Sequence, residues 1–141
     1  THLRVKGGKA YMNGEIITVA DTSNIDQAFV GLDLPYNDKD YKPVLNYLVD
    51  ELYGKAASIR IHGSAAMSMC YVAAGRFDVW AEAFINLWDF AAGALIVHEA
   101  GGVVTNFVGN SDFLKGHKII ASNGFLHKGF IQMLTPFDAK L

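Results

Sequence analysis

The chain has 141 residues, about the length of one domain, and 51% of them are hydrophobic, which is enough for a sizeable core. The formal net charge of −2 gives no electrostatic case for nucleic-acid binding, which usually needs a basic face, and no apolar run approaches the roughly 20 residues that cross a bilayer. We therefore expect neither nucleic acid nor a membrane as a partner. The single cysteine, Cys70, cannot form an internal disulfide, and the N-terminus does not resemble a signal peptide, so we expect a reducing, cytoplasmic location.

The first segment, about residues 1–20, is predicted to be a β-hairpin. Asn13-Gly14 lies between two short apolar stretches, and this dipeptide favours a two-residue hairpin turn because both positions need a positive φ. The chain begins at Thr1 rather than at Met, inside an apparent strand. We therefore expect residues 1–141 to be the later part of a longer protein.

The rest of the chain alternates between strand patterns and helix patterns. Strands are predicted at 27–34, 57–61, 77–82, 103–107 and 118–122, and helices at 40–53, 64–75, 89–100 and 125–134. Asp40 is the expected N-cap of the first of these helices. This alternation predicts an α/β fold with a mixed or mostly parallel sheet and flanking helices.

The helix predicted at 89–100 is apolar on nearly every side, which predicts burial. Asp89 stands where an N-cap residue is expected, and Gly101-Gly102 is expected to end the helix. Asp89 has two interpretations at this stage: a structural cap, or a functional carboxylate at the mouth of a buried helix.

Two further polar residues mark transitions between elements. Ser64 is a good N-cap for the helix at 64–75, and Glu82 ends the strand at 77–82. A simple cap and a solvated strand end are their structural interpretations. The alternative is ligand binding, because ligands of such sheets collect beyond strand ends and near helix N-termini. The histidines His62, His98 and His127 show no metal-ligand spacing.

The stretch Trp88-Asp89, followed by Ala91-Ala92-Gly93 and by Glu99-Ala100-Gly101-Gly102, resembles the second signature of the inositol monophosphatase family. These are magnesium-dependent, lithium-sensitive phosphomonoesterases that commonly form homodimers. The hairpin, the block from Gly63 to Glu82, and the run Ile119-Ile120-Ala121-Ser122-Asn123-Gly124 resemble the family too. The fold implied is the C-terminal half of the sugar-phosphatase fold.

The resemblance also implies roles for individual residues. Asp89 would ligate Mg²⁺ and belong to the substrate-binding set, and a carboxylate suits this oxygen-seeking ion. Gly63, Ser64, Ala65 and Glu82 would contact the hydroxyl groups of the substrate.

The family's first signature, an Asp-x-x-Asp-Gly-Thr run preceded by a metal-binding Glu, is not in this sequence. Asp33, Asp38 and Asp40 do not reproduce it. We expect the remaining metal ligands and the groups that position the attacking water in a missing N-terminal half or a companion chain, and no catalytic residue in this chain. The isolated 141-residue chain is therefore expected to be inactive.

The leading hypothesis is half of an enzyme that hydrolyses a small phosphomonoester, most simply myo-inositol monophosphate, with magnesium-activated water. Fructose-1,6-bisphosphatase activity is the nearest alternative, and nucleotide 3′-phosphatase activity lies further off. A non-catalytic binding or assembly fragment is the alternative from a different class.

Overall fold

The structure, a computed structural model, describes residues 8–115 and 117–141. Its elements follow in chain order: β1 (Tyr11–Met12), β2 (Glu15–Ile16), β3 (Phe29–Leu32), α1 (Asp38–Leu52), β4 (Ser58–Ile61), α2 (Ala65–Ala73), β5 (Val79–Ala83), α3 (Leu87–Glu99), β6 (Val103–Thr105), β7 (Lys118–Ser122) and α4 (His127–Leu134). The predicted alternation of strands and helices is confirmed. From β3 onward, the predicted element ends differ from the observed ends by two residues or fewer. Ends are set by local hydrogen bonds that hydrophobic periodicity does not report.

Five strands form one mixed sheet in the order β4-β3-β5-β7-β6. The strands β4, β3 and β5 run parallel, whereas β7 is antiparallel to both of its neighbours. The carboxyl ends of β3, β4 and β5 therefore meet along one edge of the sheet. Ligands of open α/β sheets bind at such an edge.

The sheet has a hydrophobic core on each face, as expected when helices cover both sides. One core holds α1 and α4 against the inward side chains Val30, Leu32, Val79 and Ala81. The other holds α2 and α3 against Trp80, Ile119 and Ala121. Because side chains alternate along a strand, Trp80 and Glu82 share the α2–α3 face of β5. The α/β class with flanking helices is confirmed.

The predicted hairpin is confirmed within residues 8–20, and residues 1–7 lie outside the described residues. Its strands β1 and β2 pair antiparallel, with Tyr11 opposite Ile16. Asn13 and Gly14 have φ angles of 54° and 89°, the positive values that the turn requires.

Two helix predictions were wrong in part. Helix α1 begins at Asp38 with Asn37 in the N-cap position, so Asp40 lies inside the first turn and does not cap it. Helices α2 and α3 are not buried all round: Met67 is 45% exposed, and Ala91 and Ala92 are exposed. Each of these two helices packs on the sheet and on the other helix, and these contacts leave the remaining side of each helix exposed although it is apolar.

Among the described residues, no helix combines the length and the apolar character that crossing a membrane would need.

Candidate active site

A cleft of about 770 Å³ opens at the edge where the parallel strands end. Its walls come from the loop after β3, the turn before α2, the end of β5 and the start of α3: residues 33–37, residues 63–66, Glu82, residues 84–86, Trp88 and Asp89. All five site residues predicted from the sequence line this one cleft. They lie on three different segments, and the parallel arrangement of β4 and β5 brings those segments together.

The turn between β4 and α2 carries Gly63, Ser64 and Ala65. Gly63 has a φ of 75°, the left-handed region that favours glycine. Ser64 is the N-cap predicted from the sequence, and its side chain accepts a hydrogen bond from the Met67 N–H at 3.4 Å. Within the described residues, the N–H groups of Ala65 and Ala66 have no hydrogen-bond partner outside the helix, so the first turn of α2 offers donors to the cleft.

The N–H of Gly63 is not one of these free donors, because it already donates to the Asp33 carboxylate at 2.6 Å. Gly63 can therefore shape the cleft and offer its carbonyl oxygen, but its N–H is occupied.

Glu82 lies near the end of β5 and is partly buried. Burial raises the pKa of its carboxyl group to about 7, and the negative charges of Asp33 and Asp89 act in the same direction. Glu82 is therefore not a fully solvated strand end, because its side chain is partly buried. Glu82 instead faces the cleft with two other carboxylates nearby.

Asp89 is the third residue of α3, and the prediction that it caps this helix was wrong. The helix begins at Leu87 with Asn86 in the N-cap position, and the Asp89 N–H donates to the Asn86 carbonyl at 3.0 Å. The Asp89 side chain is exposed, and no group in the described part of the chain donates a hydrogen bond to it. A first-turn carboxylate interacts favourably with the helix dipole, and here it remains available to a cation.

Sequence reasoning considered Asp33 only as a failed match to the missing signature, and it overlooked Tyr41. Asp33 directly follows β3, is 2% exposed and lies at the floor of the cleft. An acidic residue directly after a buried parallel strand was the available signal. The Tyr41 hydroxyl is buried and, among the described residues, has no hydrogen-bond partner. Burial and then the charges of Glu82 and Asp33 raise the pKa of this phenol, so it stays protonated.

The donor set fits one position of a magnesium site. Asp89 offers an exposed carboxylate without a protein partner, which is the chemistry that Mg²⁺ prefers. Across residues 8–115 and 117–141, however, no group of three or more His, Cys, Asp or Glu side chains is arranged to hold a metal. The described residues could thus supply one ligand to a metal ion, but they do not form a complete ligand set.

The raised pKa of Glu82 predicts a pH-dependent stability. Between its ordinary value of 4.5 and about 7, the folded protein retains a proton that the unfolded chain releases. Stability is therefore lost as the pH rises through this window. In the metal-free full-length protein with EDTA, Glu82→Gln is expected to raise the Tm above pH 7 and to leave it nearly unchanged near pH 4.5. Thermal melts from pH 4 to 8 measure this.

The control for this measurement is Glu15→Gln, which changes an exposed carboxylate on β2. The Tm difference between this variant and the wild type is expected to stay constant across the same pH range. A similarly constant difference for Glu82→Gln would contradict the burial argument.

The mixed sheet and the cleft at the ends of its parallel strands define an α/β protein with a candidate ligand site among the described residues, and the comparisons with known proteins show its family. A model of the inositol monophosphatase family matches residues 2–136. The chain therefore belongs to the inositol monophosphatase family.

Related proteins and structures are found in several bacteria. The chain is 37% identical over 133 residues to the protein named Nus factor SuhB from Pseudomonas aeruginosa, and 36% identical over 118 residues to its Escherichia coli counterpart. An inositol monophosphatase of Thermotoga maritima superposes with a TM-score of 0.84 at 32% identity, covering 96% of this chain. A SuhB structure from Bartonella henselae gives 0.85 at 29% identity, covering 92%.

The chain spans about half the length of the curated relatives it matches: 49% of the Pseudomonas protein and 44% of the Escherichia protein. The Thermotoga structure is covered to 51%.

Proposed function

We propose that this chain is part of a magnesium-dependent phosphomonoester hydrolase that acts on a polyol or sugar phosphate, with myo-inositol monophosphate as the leading candidate. One observation carries the proposal: the unpartnered Asp89 carboxylate, the Glu82 carboxyl and the entrance of α2 line the same cleft. The remaining metal ligands would come from a segment with the first family signature, in the N-terminal half or in a companion chain.

The charges in the cleft explain why a metal belongs in this proposal. Asp33, Glu82 and Asp89 act on one another electrostatically, and unscreened they would repel a phosphate dianion. A divalent cation held in the cleft would supply positive charge that offsets this repulsion, and it would make water a better nucleophile. Asp89 would hold that ion from the first turn of α3.

The other residues of the cleft bind and orient the substrate in this proposal. The free N–H groups at the start of α2 would donate to electron-rich oxygens, which the helix dipole favours. Glu82 would accept hydrogen bonds from ring hydroxyls when ionised. Its position near the end of β5 places hydroxyl recognition on a different element from the metal ligand on α3.

Glu82→Ala tests the hydroxyl-binding role in the full-length enzyme. We expect the KM for inositol monophosphate to rise about tenfold or more, since a hydrogen bond to a charged group contributes about 1.5–3 kcal/mol. The KM for p-nitrophenyl phosphate, which has no ring hydroxyls, should change much less. Steady-state kinetics on both substrates measure the difference, and equal changes would contradict the assignment.

An activity panel on the full-length protein tests the proposed reaction itself. It compares inositol monophosphate, fructose 1,6-bisphosphate and a nucleoside 3′-phosphate, each with Mg²⁺ and with Mg²⁺ plus Li⁺. Intact mass spectrometry of the purified sample identifies a longer polypeptide or a companion chain. Homodimer formation and a cytoplasmic location remain predictions, and light scattering tests the first of them.

A second candidate is a role of the kind recorded in the name Nus factor SuhB, which the curated relatives carry. Their identity of 36–37% over most of the chain favours it. It corresponds to the non-catalytic binding or assembly alternative. A role of this kind would survive loss of Asp89, whereas hydrolysis would not.

A further inference from the structure

The Asp33 carboxylate collects four hydrogen bonds from three separate segments. One oxygen, Oδ1, accepts from the backbone N–H groups of His62 at 3.1 Å and Gly63 at 2.6 Å. The other, Oδ2, accepts from the Ser68 hydroxyl at 3.1 Å and the Trp80 indole N–H at 2.9 Å. The turn before α2, the helix α2 itself and the strand β5 are thus connected at one side chain.

All four donors are uncharged, so they satisfy the carboxylate without neutralising it. An ionised carboxylate offers about four acceptor positions, and here each has a donor. Burial of such a group is costly unless it is well hydrogen-bonded. An isosteric but uncharged replacement, asparagine, would therefore weaken these hydrogen bonds, because it lacks the charge and one of the two acceptor oxygens. Because its lone pairs are used, Asp33 has no free acceptor for a metal or for a substrate hydroxyl.

The pair of bonds at Oδ1 acts on the segment that borders the cleft. Two successive N–H groups, those of His62 and Gly63, point at one oxygen, which fixes the orientation of both peptide planes. Gly63 is in the left-handed region with a φ of 75°, and a Cβ at this position would have nothing within 4 Å. Packing at Gly63 therefore does little to hold the turn. The neighbouring His62 ring stacks on Tyr71 with centroids 5.0 Å apart, and Asp33 restrains the two backbone N–H groups.

We propose that Asp33 is a positioning residue, which holds the turn at Gly63 and Ser64 so that this turn and the start of α2 meet the substrate in a fixed geometry. The proposal rests on the proposed function, because the benefit of a fixed turn is substrate binding. Asp33 acts through the turn and does not touch the reacting atoms. The assigned binding residues then depend on a side chain that lies about 30 residues earlier in the chain.

Ser68→Ala is the matched control for Asp33→Asn. It removes a donor at Oδ2 but leaves both bonds from Oδ1 to the turn. In the full-length protein, Asp33→Asn is expected to raise the KM for inositol monophosphate about tenfold with a kcat within about threefold of wild type, since weakening one charge-assisted hydrogen bond corresponds to roughly a factor of ten. Ser68→Ala should lower the Tm and leave KM and kcat unchanged.

Amide hydrogen exchange measures how firmly the turn is held, and it needs no assay of activity. In the wild type, the amides of His62 and Gly63 should exchange as slowly as those in the buried sheet. In Asp33→Asn they should exchange about tenfold faster or more, with no such change in Ser68→Ala. The wild-type measurement still decides the matter if the Asp33 variant does not fold.

The proposal is overturned if the wild-type amides of His62 and Gly63 exchange at the rate of an open turn. It is also overturned if Asp33→Asn lowers the Tm with KM unchanged, or if both variants raise KM equally. A wild-type protein that hydrolyses no phosphomonoester would instead refute the proposed function. The exchange rates would then show separately whether Asp33 fixes the turn.

Discussion

Asp89→Asn is expected to remove nearly all magnesium-dependent phosphatase activity from the full-length protein. A metal ion stabilises transition-state charge by several kcal/mol, and each 1.4 kcal/mol is a factor of ten, so kcat should fall by about 100-fold or more. The fold should survive, because the side chain is exposed and makes no hydrogen bond within the described residues. Loss of the helix-dipole interaction costs only about 0.3–1 kcal/mol.

The assay pairs kcat at saturating Mg²⁺ with the Mg²⁺ concentration that gives half-maximal activity. Asp50→Asn is the control, since Asp50 is an exposed carboxylate on α1 that does not line the cleft. It should behave as wild type in both measurements. Normal turnover by Asp89→Asn would eliminate the metal-ligand assignment.

Gly102→Ala is expected to destabilise the protein more than its small size suggests. A Cβ at this position would lie 2.7 Å from the Ser122 carbonyl oxygen and 2.6 Å from Val97 Cγ1. The carbonyl belongs to the end of β7 and cannot rotate away, so the backbone must shift. Overpacking of this kind costs about 1–3 kcal/mol, which corresponds to a fall in Tm of roughly 5 °C or more.

Gly129→Ala provides the opposite case on α4, where an added Cβ meets nothing within 4 Å. This change should stabilise the protein by about 0.5–1 kcal/mol, because alanine is the better residue in a helix interior. Thermal melts of both variants decide the matter. Equal Tm values for Gly102→Ala and wild type would show that β7 does not approach the helix end so closely.

The glycine pair illustrates which local features the sequence specifies. Gly101 has a φ of 87° and follows the C-cap residue of α3, so it terminates this helix as predicted from the conformational freedom of glycine. Gly102 is required for a different reason, the close approach of β7, and no residue near it in the sequence predicts that contact. Two adjacent glycines in one motif thus have one local and one long-range cause.

Two of the three N-cap predictions show the same division. Ser64 was predicted correctly, because its side chain, the following apolar run and the preceding glycine agree. The N-cap prediction for Asp89 is wrong, because it starts the helix at the apolar run that follows Asp89, whereas Leu87 and Trp88 already belong to the helix. Trp88 is 80% exposed there, so its apolar character did not mark the buried face of the helix.

The sequence by itself determined the order of strands and helices, the hairpin turn at Asn13-Gly14, and the identity of Ser64, Glu82 and Asp89 as polar residues at transitions. Hydrophobic periodicity and turn chemistry are local, so they can be read from neighbouring residues. Only the tertiary structure decided that these residues share a cleft, that Glu82 is desolvated beside two other carboxylates, and that Asp33 accepts hydrogen bonds from His62 and Gly63. Those properties arise from the order of strands in the sheet, which joins Asp33 to Trp80 across 47 residues and which no local pattern encodes.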